Sequence, residues 1–151
     1  MRRLAYYLTP IALCFLVGFS AMLLQEESLS SWYPLLNKPS ITPPDGVFPI
    51  AWSIIYICMG LSIGRLMDVG HGGFVWLWLL QLVLNFLWSP MFFTQQSPLS
   101  GLVVIIFLDV AVLTYTILAW PASKFSSIIM LPYLAWLSLA TYLNLYIWLN
   151  N

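Results

Sequence analysis

Residues 99–120 read LSGLVVIIFLDVAVLTYTILAW, an apolar run that contains a single charged residue, Asp109. As an α-helix rising about 1.5 Å per residue, a run of about 20 apolar residues crosses the roughly 30 Å hydrocarbon core of a bilayer. A membrane-spanning strand would instead alternate apolar and polar residues over about ten positions. The segment therefore predicts a transmembrane α-helix.

Four further apolar runs of similar length share the chain with this one, and glycines, prolines and charges separate them. Of the 151 residues, 62% are hydrophobic and 7% are charged, whereas soluble domains carry about 25% charged residues. We therefore predict an all-α integral membrane bundle of five transmembrane helices, a single domain over residues 1–151. The helices are expected at about 4–24, 47–66, 74–93, 99–120 and 126–149.

The connections between these spans differ in length. Residues 67–73, 94–98 and 121–125 are short, so the helices that they join must be antiparallel neighbours. Residues 25–46 form a much longer connection that carries Trp32, Tyr33 and several prolines. Long loops in compact domains are usually functional or disordered, and the aromatic and proline content favours an ordered capping loop.

The charges indicate an orientation and exclude one class of partner. Five Lys and Arg balance five Asp and Glu, so the chain lacks the basic surface that nucleic acid requires and we expect no nucleic-acid partner. Cytoplasmic loops are enriched in positive charge. The N-terminal side of the membrane carries Arg2, Arg3, Arg65 and Lys124, whereas the other side carries Lys38. This distribution predicts a cytoplasmic N-terminus, with the capping loop and the C-terminus facing outward.

The titratable and sulfur-containing residues do not form a recognisable catalytic or metal-binding pattern. Cys14 and Cys58 lie inside apolar runs, and the sole histidine, His71, lies in a glycine-rich connection. Zinc sites need several closely spaced Cys or His ligands, and hydrolytic catalysis needs a nucleophile, a base and a group that orients the base. We predict no metal site and no required cofactor.

Polar and aromatic side chains converge beneath the capping loop. They share helical faces by spacings of three or four residues, and most fall in the outer half of the membrane. Polar groups in hydrocarbon must find partners or line a cavity, so the convergence predicts a ligand pocket. The residues are Trp52 and Tyr56 on the second span, Gln81, Asn85 and Trp88 on the third, and Trp136, Ala140 and Asn144 on the fifth.

Simpler structural roles are open for the polar residues and glycines of the spans. The amides of the predicted pocket would then only hydrogen-bond between helices, a contact worth about 0.6 kcal/mol in membrane bundles. Asp109, the one acidic residue at mid-membrane depth, is either part of a proton relay or a hydrogen-bonded structural residue. Gly60 and Gly64 form a GxxxG step that permits close helix packing, inside one chain or in a dimer.

Three blocks of sequence resemble the tryptophan-rich sensory protein family, which includes the mitochondrial translocator protein, or peripheral benzodiazepine receptor. Residues 32–44, WYPLLNKPSITPP, with Phe48 and Trp52 after them, are similar to the first-loop signature of that family. Residues 81–93, QLVLNFLWSPMFF, and residues 132–151, PYLAWLSLATYLNLYIWLNN, agree as well. The resemblance extends over almost the whole chain.

The resemblance implies a five-helix bundle, often a homodimer, whose first loop closes a pocket. That pocket binds tetrapyrroles such as protoporphyrin IX and synthetic isoquinoline or benzodiazepine ligands. The family positions that line it match Tyr33, Pro43, Trp52, Asn85, Trp136, Ala140 and Asn144, to which the helical faces add Tyr56 and Trp88. Some bacterial members are slow enzymes of light- and oxygen-dependent porphyrin breakdown, and the two tryptophans implicated match Trp52 and Trp136.

One departure from the family concerns sterols. Animal members carry a cholesterol-recognition pattern on the last helix that ends in a basic residue. Here residues 143–146 are followed by Ile147, Trp148, Leu149, Asn150 and Asn151, so no Lys or Arg completes the pattern. We do not expect sterol binding by that route, and the chain resembles a bacterial member.

Three functions follow from these observations. The first is a membrane tetrapyrrole-binding sensor or carrier, because Trp faces can stack on a flat porphyrin while amides meet its polar edge. The second is an enzyme that degrades the same ligand. The third is a small-solute transporter, but such proteins use inverted repeats and charges at mid-membrane, and five spans with one acidic residue argue against it.

The predicted orientation is testable by cysteine labelling in a variant without Cys14 and Cys58. Because residue 40 lies in the capping loop and residue 72 in the next connection, Ser40→Cys and Gly72→Cys should react with an impermeant maleimide from opposite sides of the membrane. Reaction of both from the same side would contradict the five-span topology.

Overall fold

The computed structural model describes residues 2–151, which form six α-helices joined by turns and by one longer loop. Five helical segments are long and apolar enough to cross a membrane, and the fifth of them consists of α5 and α6 together. The prediction of an all-α membrane bundle with five spans is confirmed. The helices are α1, Arg2–Ser31; α2, Val47–Asp68; α3, Val75–Ser89; α4, Pro98–Ala119; α5, Lys124–Ile128; and α6, Leu131–Asn150.

The first helix is longer, and the capping loop shorter, than predicted. α1 continues through residues 25–31, which the sequence assigned to the loop, and the capping loop proper is 32–46. Apolar character ends at Leu24, but Gln25 and the glutamates after it are good helix formers, so the helix continues beyond the apolar run. It ends at Ser31, and a single 3-10 turn follows at Tyr33–Leu35. Pro34 within that turn has no N–H to donate to the Ser30 carbonyl, so the α-helical ladder cannot continue.

Prolines modify the third and fifth spans. Pro90 has no N–H for the helical ladder, and the chain continues as a π-helix, Pro90–Thr94, in which Gln95 N–H donates to the Pro90 carbonyl over 2.9 Å. Pro132 lies in the first turn of α6, after a turn that separates it from α5. The fifth span predicted over 126–149 is present as Lys124–Asn150, but a turn divides it into two helices. Pro132 cannot donate to the Ile128 carbonyl, so the helical ladder is interrupted there.

The spans form a closed ring in the order α1, α2, α6, α4, α3, with α5 packed between α2 and α4. Chain neighbours are antiparallel. The prediction that short connections join packed neighbours holds for α3 with α4 and for α4 with α6, whereas α2 and α3, joined by residues 67–73, are not adjacent in the ring. The loop end of the bundle contains the capping loop, the turn before α4 and the C-terminal residues of α6. The opposite end, where α1 begins, is the arginine end, because it carries Arg3 and Arg65.

Gly60 and Gly64 allow the backbones of α1 and α2 to come into direct contact. A Cβ placed on Gly60 would lie 2.8 Å from the backbone nitrogen of Ile11, and one on Gly64 would lie 2.8 Å from the Tyr6 carbonyl oxygen. That carbonyl has no helical N–H partner four residues on, because residue 10 is proline. The GxxxG step thus packs inside one chain, which is one of the two roles that the sequence left open.

Buried hydroxyl groups join three elements near the arginine end. Ser62 of α2 lies 2.9 Å from the hydroxyl of Tyr115 on α4 and donates to the Ser126 carbonyl of α5 over 2.8 Å. Ser126 returns a bond of 3.0 Å to the Ser62 carbonyl. Ser127 donates to the Thr116 carbonyl over 2.7 Å. These bonds satisfy polar groups that would otherwise be unpaired in hydrocarbon.

Gly60→Ala should destabilise the bundle by about 1–3 kcal/mol, because its methyl group would overlap the backbone of α1, which cannot move without separating the two helices. The measurement is thermal unfolding in detergent, followed by circular dichroism. Gly46→Ala is the matched control, since a Cβ there meets nothing within 4 Å. Equal melting temperatures for the two variants would contradict the close α1–α2 contact.

Candidate functional site

Five aromatic residues from the N-terminal halves of α2 and α6 form one cluster. The ring of Trp52 stacks on that of Tyr56, with centroids 5.8 Å apart, and meets the rings of Tyr133 and Trp136 edge to face at 6.3 and 6.4 Å. Phe48 contacts Trp136 at 5.5 Å. We call these residues, Phe48, Trp52, Tyr56, Tyr133 and Trp136, the tryptophan cluster.

Amides of α3 adjoin this cluster. Asn85 Nδ2 donates to the Tyr133 hydroxyl over 2.8 Å. Gln81 lies one turn further along the same face and is fully buried, and neither its amide oxygen nor its amide nitrogen has a hydrogen-bond partner among residues 2–151. The buried Nε1 of Trp136 likewise lacks one in the described chain. Unpaired buried polar groups are costly, and they are retained where a ligand or water meets them.

A second group of aromatic residues connects the capping loop to the end of α3. The Trp88 ring stacks on Phe92 at 5.3 Å and meets Phe93 edge to face at 5.7 Å. Trp32 and Tyr33 of the loop contact Phe92 at 5.5 and 6.4 Å. Trp32, Tyr33, Trp88, Phe92 and Phe93 are called the loop cluster, and this cluster places the loop over the end of the bundle.

Asn144 links the loop cluster to α4 through both ends of its amide. Its Oδ1 accepts from Trp88 Nε1 over 3.0 Å, and its Nδ2 donates to the Pro98 carbonyl over 2.7 Å. Hydrogen bonds between helices, the simpler role considered from the sequence, thus account for the amide of Asn144. Ala140 lies between Trp136 and Asn144 on the same face of α6 and is partly buried against the core.

The capping loop is held by contacts within itself and by a pair of hydrogen bonds to Asn151 after α6. Lys38 Nζ donates to the Tyr33 carbonyl over 2.7 Å and lies 4.6 Å from the centre of the Tyr33 ring. Asn37 N–H donates to Asn151 Oδ1 over 2.8 Å, and Asn151 Nδ2 donates to the Asn37 carbonyl over 3.2 Å. Burial raises the pKa of the Tyr33 phenol, and the nearby Asp45 carboxylate raises it further. The phenol therefore stays neutral and available as a hydrogen-bond donor.

The remaining predicted residues lie outside both clusters. Pro43 is half-buried in the capping loop. Asp109 accepts a 2.6 Å hydrogen bond from the Thr141 hydroxyl of α6, which corresponds to the structural role considered for it. His71 lies exposed in the turn at the arginine end, and residues 2–151 contain no group of three His, Cys, Asp or Glu that could hold a metal ion.

Some members of these clusters were not singled out by sequence reasoning. Tyr133 lies three residues before Trp136, a spacing that places both on one helical face, so the sequence could have predicted its membership of the cluster. Phe92 is four residues after Trp88 and carried the same signal. Phe93 did not, because a residue five positions from Trp88 reaches the same side only through the wider π turn.

The clusters offer flat aromatic faces and a few polar atoms, which suit non-covalent binding of a flat apolar molecule. Two cavities lie elsewhere, between α1 and α3, and one of them extends to Ile63 and Met67 of α2. The rings of the tryptophan cluster are instead packed on one another, so a ligand there would bind against partly exposed faces of Trp52 and Trp136 or separate the rings.

Comparison with known proteins places the chain among membrane proteins of one family. The model of the TspO/MBR family matches residues 10–149. The chain is 39% identical over 140 residues to the Tryptophan-rich protein TspO of Chlorobaculum tepidum, covering 89% of this chain and 88% of that protein. It is 32% identical over 141 residues to the Tryptophan-rich sensory protein of Cereibacter sphaeroides, covering 93% and 87%. With the human Translocator protein it shares 33% identity over 127 residues, covering 80% and 75%. The chain therefore belongs to the TspO/MBR family, as the resemblance of its three sequence blocks predicted.

Proposed function

We propose that this protein binds a tetrapyrrole such as protoporphyrin IX within the membrane and acts as a sensor or carrier for it. The observation that carries the proposal is the combination of the tryptophan cluster with two unpaired buried polar groups, the Gln81 amide and Trp136 Nε1. Membership of a family of membrane sensory and translocator proteins supports the same class of function.

The aromatic residues supply the apolar part of this recognition. A porphyrin is flat and largely apolar, and the indole rings of Trp52 and Trp136 present large faces at a fixed mutual angle of 80°. Aromatic contacts of this kind add about 0.5–1.5 kcal/mol beyond the area that they bury. The same faces would accommodate isoquinoline or benzodiazepine ligands, which share the flat, apolar character of the porphyrin ring.

The polar groups would fix the position of the ligand. Gln81 offers one acceptor and two donor hydrogens, and Trp136 offers one donor. A ligand that pairs with these groups removes the penalty of leaving them unsatisfied. The Asn85–Tyr133 bond ties the face of α3 that carries Gln81 to the tryptophan cluster, of which Trp136 is a member.

The capping loop would act as the closure of the site. Its aromatic residues contact α3, and its Asn37 backbone is bound to Asn151 at the end of α6, so release of the ligand past the loop requires loss of these contacts. We further propose that the protein works as a homodimer with its N-terminus in the cytoplasm. Free-base porphyrin suffices as the ligand, because the sole histidine lies at the arginine end.

An enzymatic activity, slow light-dependent breakdown of the porphyrin, is a second candidate. It is favoured by the edge-to-face contact of Trp52 and Trp136, which gives a bound porphyrin two oxidisable neighbours from different helices. The reactivity would come from the excited ligand and from dioxygen, and the protein would supply orientation.

Ala140→Leu should weaken protoporphyrin IX binding by about 1–3 kcal/mol, because the larger side chain enters the space between Trp136 and Asn144. Affinity is measured by quenching of tryptophan fluorescence during titration in detergent. Ala135→Leu, at an exposed position of the same helix, is the matched control and should bind like the wild type. Equal affinity of a folded Ala140→Leu variant would remove this face of α6 from the proposed site.

The variants Trp52→Phe and Trp136→Phe test whether the protein degrades bound porphyrin or only binds it. If the tryptophans take part in breakdown, wild-type protein accelerates loss of protoporphyrin IX absorbance in light and air, but not in darkness, and both variants lose most of this acceleration while they retain binding. Trp76→Phe, at a position 79% exposed, serves as the control. Decay of both variants at the wild-type rate, with all proteins at equal occupancy, would leave only the sensor or carrier function.

A further inference from the structure

The ring of Tyr56, a member of the tryptophan cluster, lies in a notch on the first helix. Gly18 forms the notch: a Cβ placed on it would lie 2.5 Å from the Tyr56 hydroxyl oxygen and 2.6 Å from the ring atom Cζ. Atoms that are not bonded to each other do not pack so closely, so only glycine fits at residue 18 while the ring keeps its place. Phe15, three residues before Gly18 on the same face of α1, meets the Tyr56 ring edge to face at 5.6 Å. The first helix therefore contacts the tryptophan cluster at Phe15 and Gly18.

The backbone of α1 is held on both sides of this notch. Towards the loop end, Ser28 Oγ donates to the Phe93 carbonyl over 2.7 Å and joins α1 to the π turn. Towards the arginine end, Ile11 packs with its backbone against Gly60 of α2. Gly18 lies between these two contacts. The helix therefore cannot move away from the Tyr56 ring without losing one of them.

The Tyr56 ring also supports Trp52. The two rings stack with centroids 5.8 Å apart and an angle of 29° between their planes, and Trp52 in turn meets Tyr133 and Trp136 edge to face. Tyr56 is only 8% exposed, so its ring is packed on most sides. Any movement of the ring out of the notch therefore changes its stack on Trp52.

We propose that Gly18 is a positioning residue for the tryptophan cluster. By admitting the Tyr56 ring into the surface of α1, it fixes the plane against which Trp52 presents its indole to a bound ligand. The size of residue 18 then controls the affinity of the site for a flat ligand, although residue 18 itself lies outside the cluster. The inference rests on the proposed function in giving the cluster a ligand, and it extends the site to α1, where the sequence predicted no site residue.

The first test needs no ligand. The protein is labelled with 5-fluorotryptophan, and the fluorine NMR signal of Trp52 is identified as the one that Trp52→Phe removes. Gly18→Ala should shift this signal, because the added methyl group displaces the Tyr56 ring. Gly60→Ala is the matched control and should leave the signal in place, since its methyl group meets Ile11 and not the cluster. An unshifted Trp52 signal in Gly18→Ala would overturn the proposal.

The second test is the affinity of the folded protein for protoporphyrin IX, measured from the porphyrin absorbance during titration in detergent. Gly18→Ala should weaken binding about tenfold, the scale on which overpacking of a closely packed site acts. Gly60→Ala should lower the melting temperature and leave the affinity unchanged, so the pair separates positioning from stability. Equal affinities of Gly18→Ala and the wild type would overturn the role of Gly18. A wild type that does not bind porphyrin would contradict the proposed function, and the fluorine signal alone then decides the role of Gly18.

A double variant tests whether Gly18 acts through Tyr56, and it serves also if Gly18→Ala alone does not fold. Tyr56→Leu removes the distal ring atoms and the hydroxyl that meet residue 18, because leucine reaches no further than its Cδ atoms. Gly18→Ala added to Tyr56→Leu should therefore change neither the Trp52 signal nor the affinity relative to Tyr56→Leu alone. A further loss of affinity or of folding in the double variant would show that residue 18 acts through another contact, and would overturn the proposal.

Discussion

Backbone donors and acceptors of this chain that enter the hydrocarbon must be satisfied inside the protein, and this constraint determines where its helices deviate from regularity. Three prolines each remove a backbone donor within a span. At Pro10 the freed carbonyl of Tyr6 lies against Gly64, at Pro90 the helix widens into a π turn, and at Pro132 the fifth span divides in two. In each place a neighbouring helix approaches closely or contributes hydrogen bonds.

These irregular places also position the candidate site. The π turn presents Phe92 and Phe93 to the capping loop, and its Phe93 carbonyl receives the hydroxyl of Ser28 from the end of α1. Because the fifth span is divided, Ser126 and Ser127 of the short helix α5 take part in the hydroxyl network. The separate helix α6 places Tyr133 and Trp136 in contact with Trp52. The π turn and the division before α6 therefore both stabilise the bundle and position the aromatic residues of the two clusters.

Hydropathy and helical spacing were enough to predict the class of fold and four of the ten members of the two clusters, Trp52, Tyr56, Trp88 and Trp136, while Tyr33 was indicated by the family resemblance. Trp52, Asn85 and Trp136 were found because spacing of three or four residues reports a helical face. The end of α1 was not found, because hydropathy reports the solvent around a helix and not its hydrogen bonding. The place of Phe93 depends on a π turn, and the pairing of Asn144 with Trp88 and Pro98 depends on contacts between helices far apart in sequence.

The contrast between the two ends of α1 has a consequence for the order of assembly. Its glycine contact with α2 joins consecutive helices, so this hairpin can form as soon as both have entered the membrane. Its bond from Ser28 to Phe93 spans 65 residues, and the bond from Asn37 to Asn151 spans 114. The loop end therefore reaches its final arrangement only after α3 and α6 are in place. Until then the α1–α2 hairpin lies in the bilayer without the hydrogen bonds of Ser28 and Asn37.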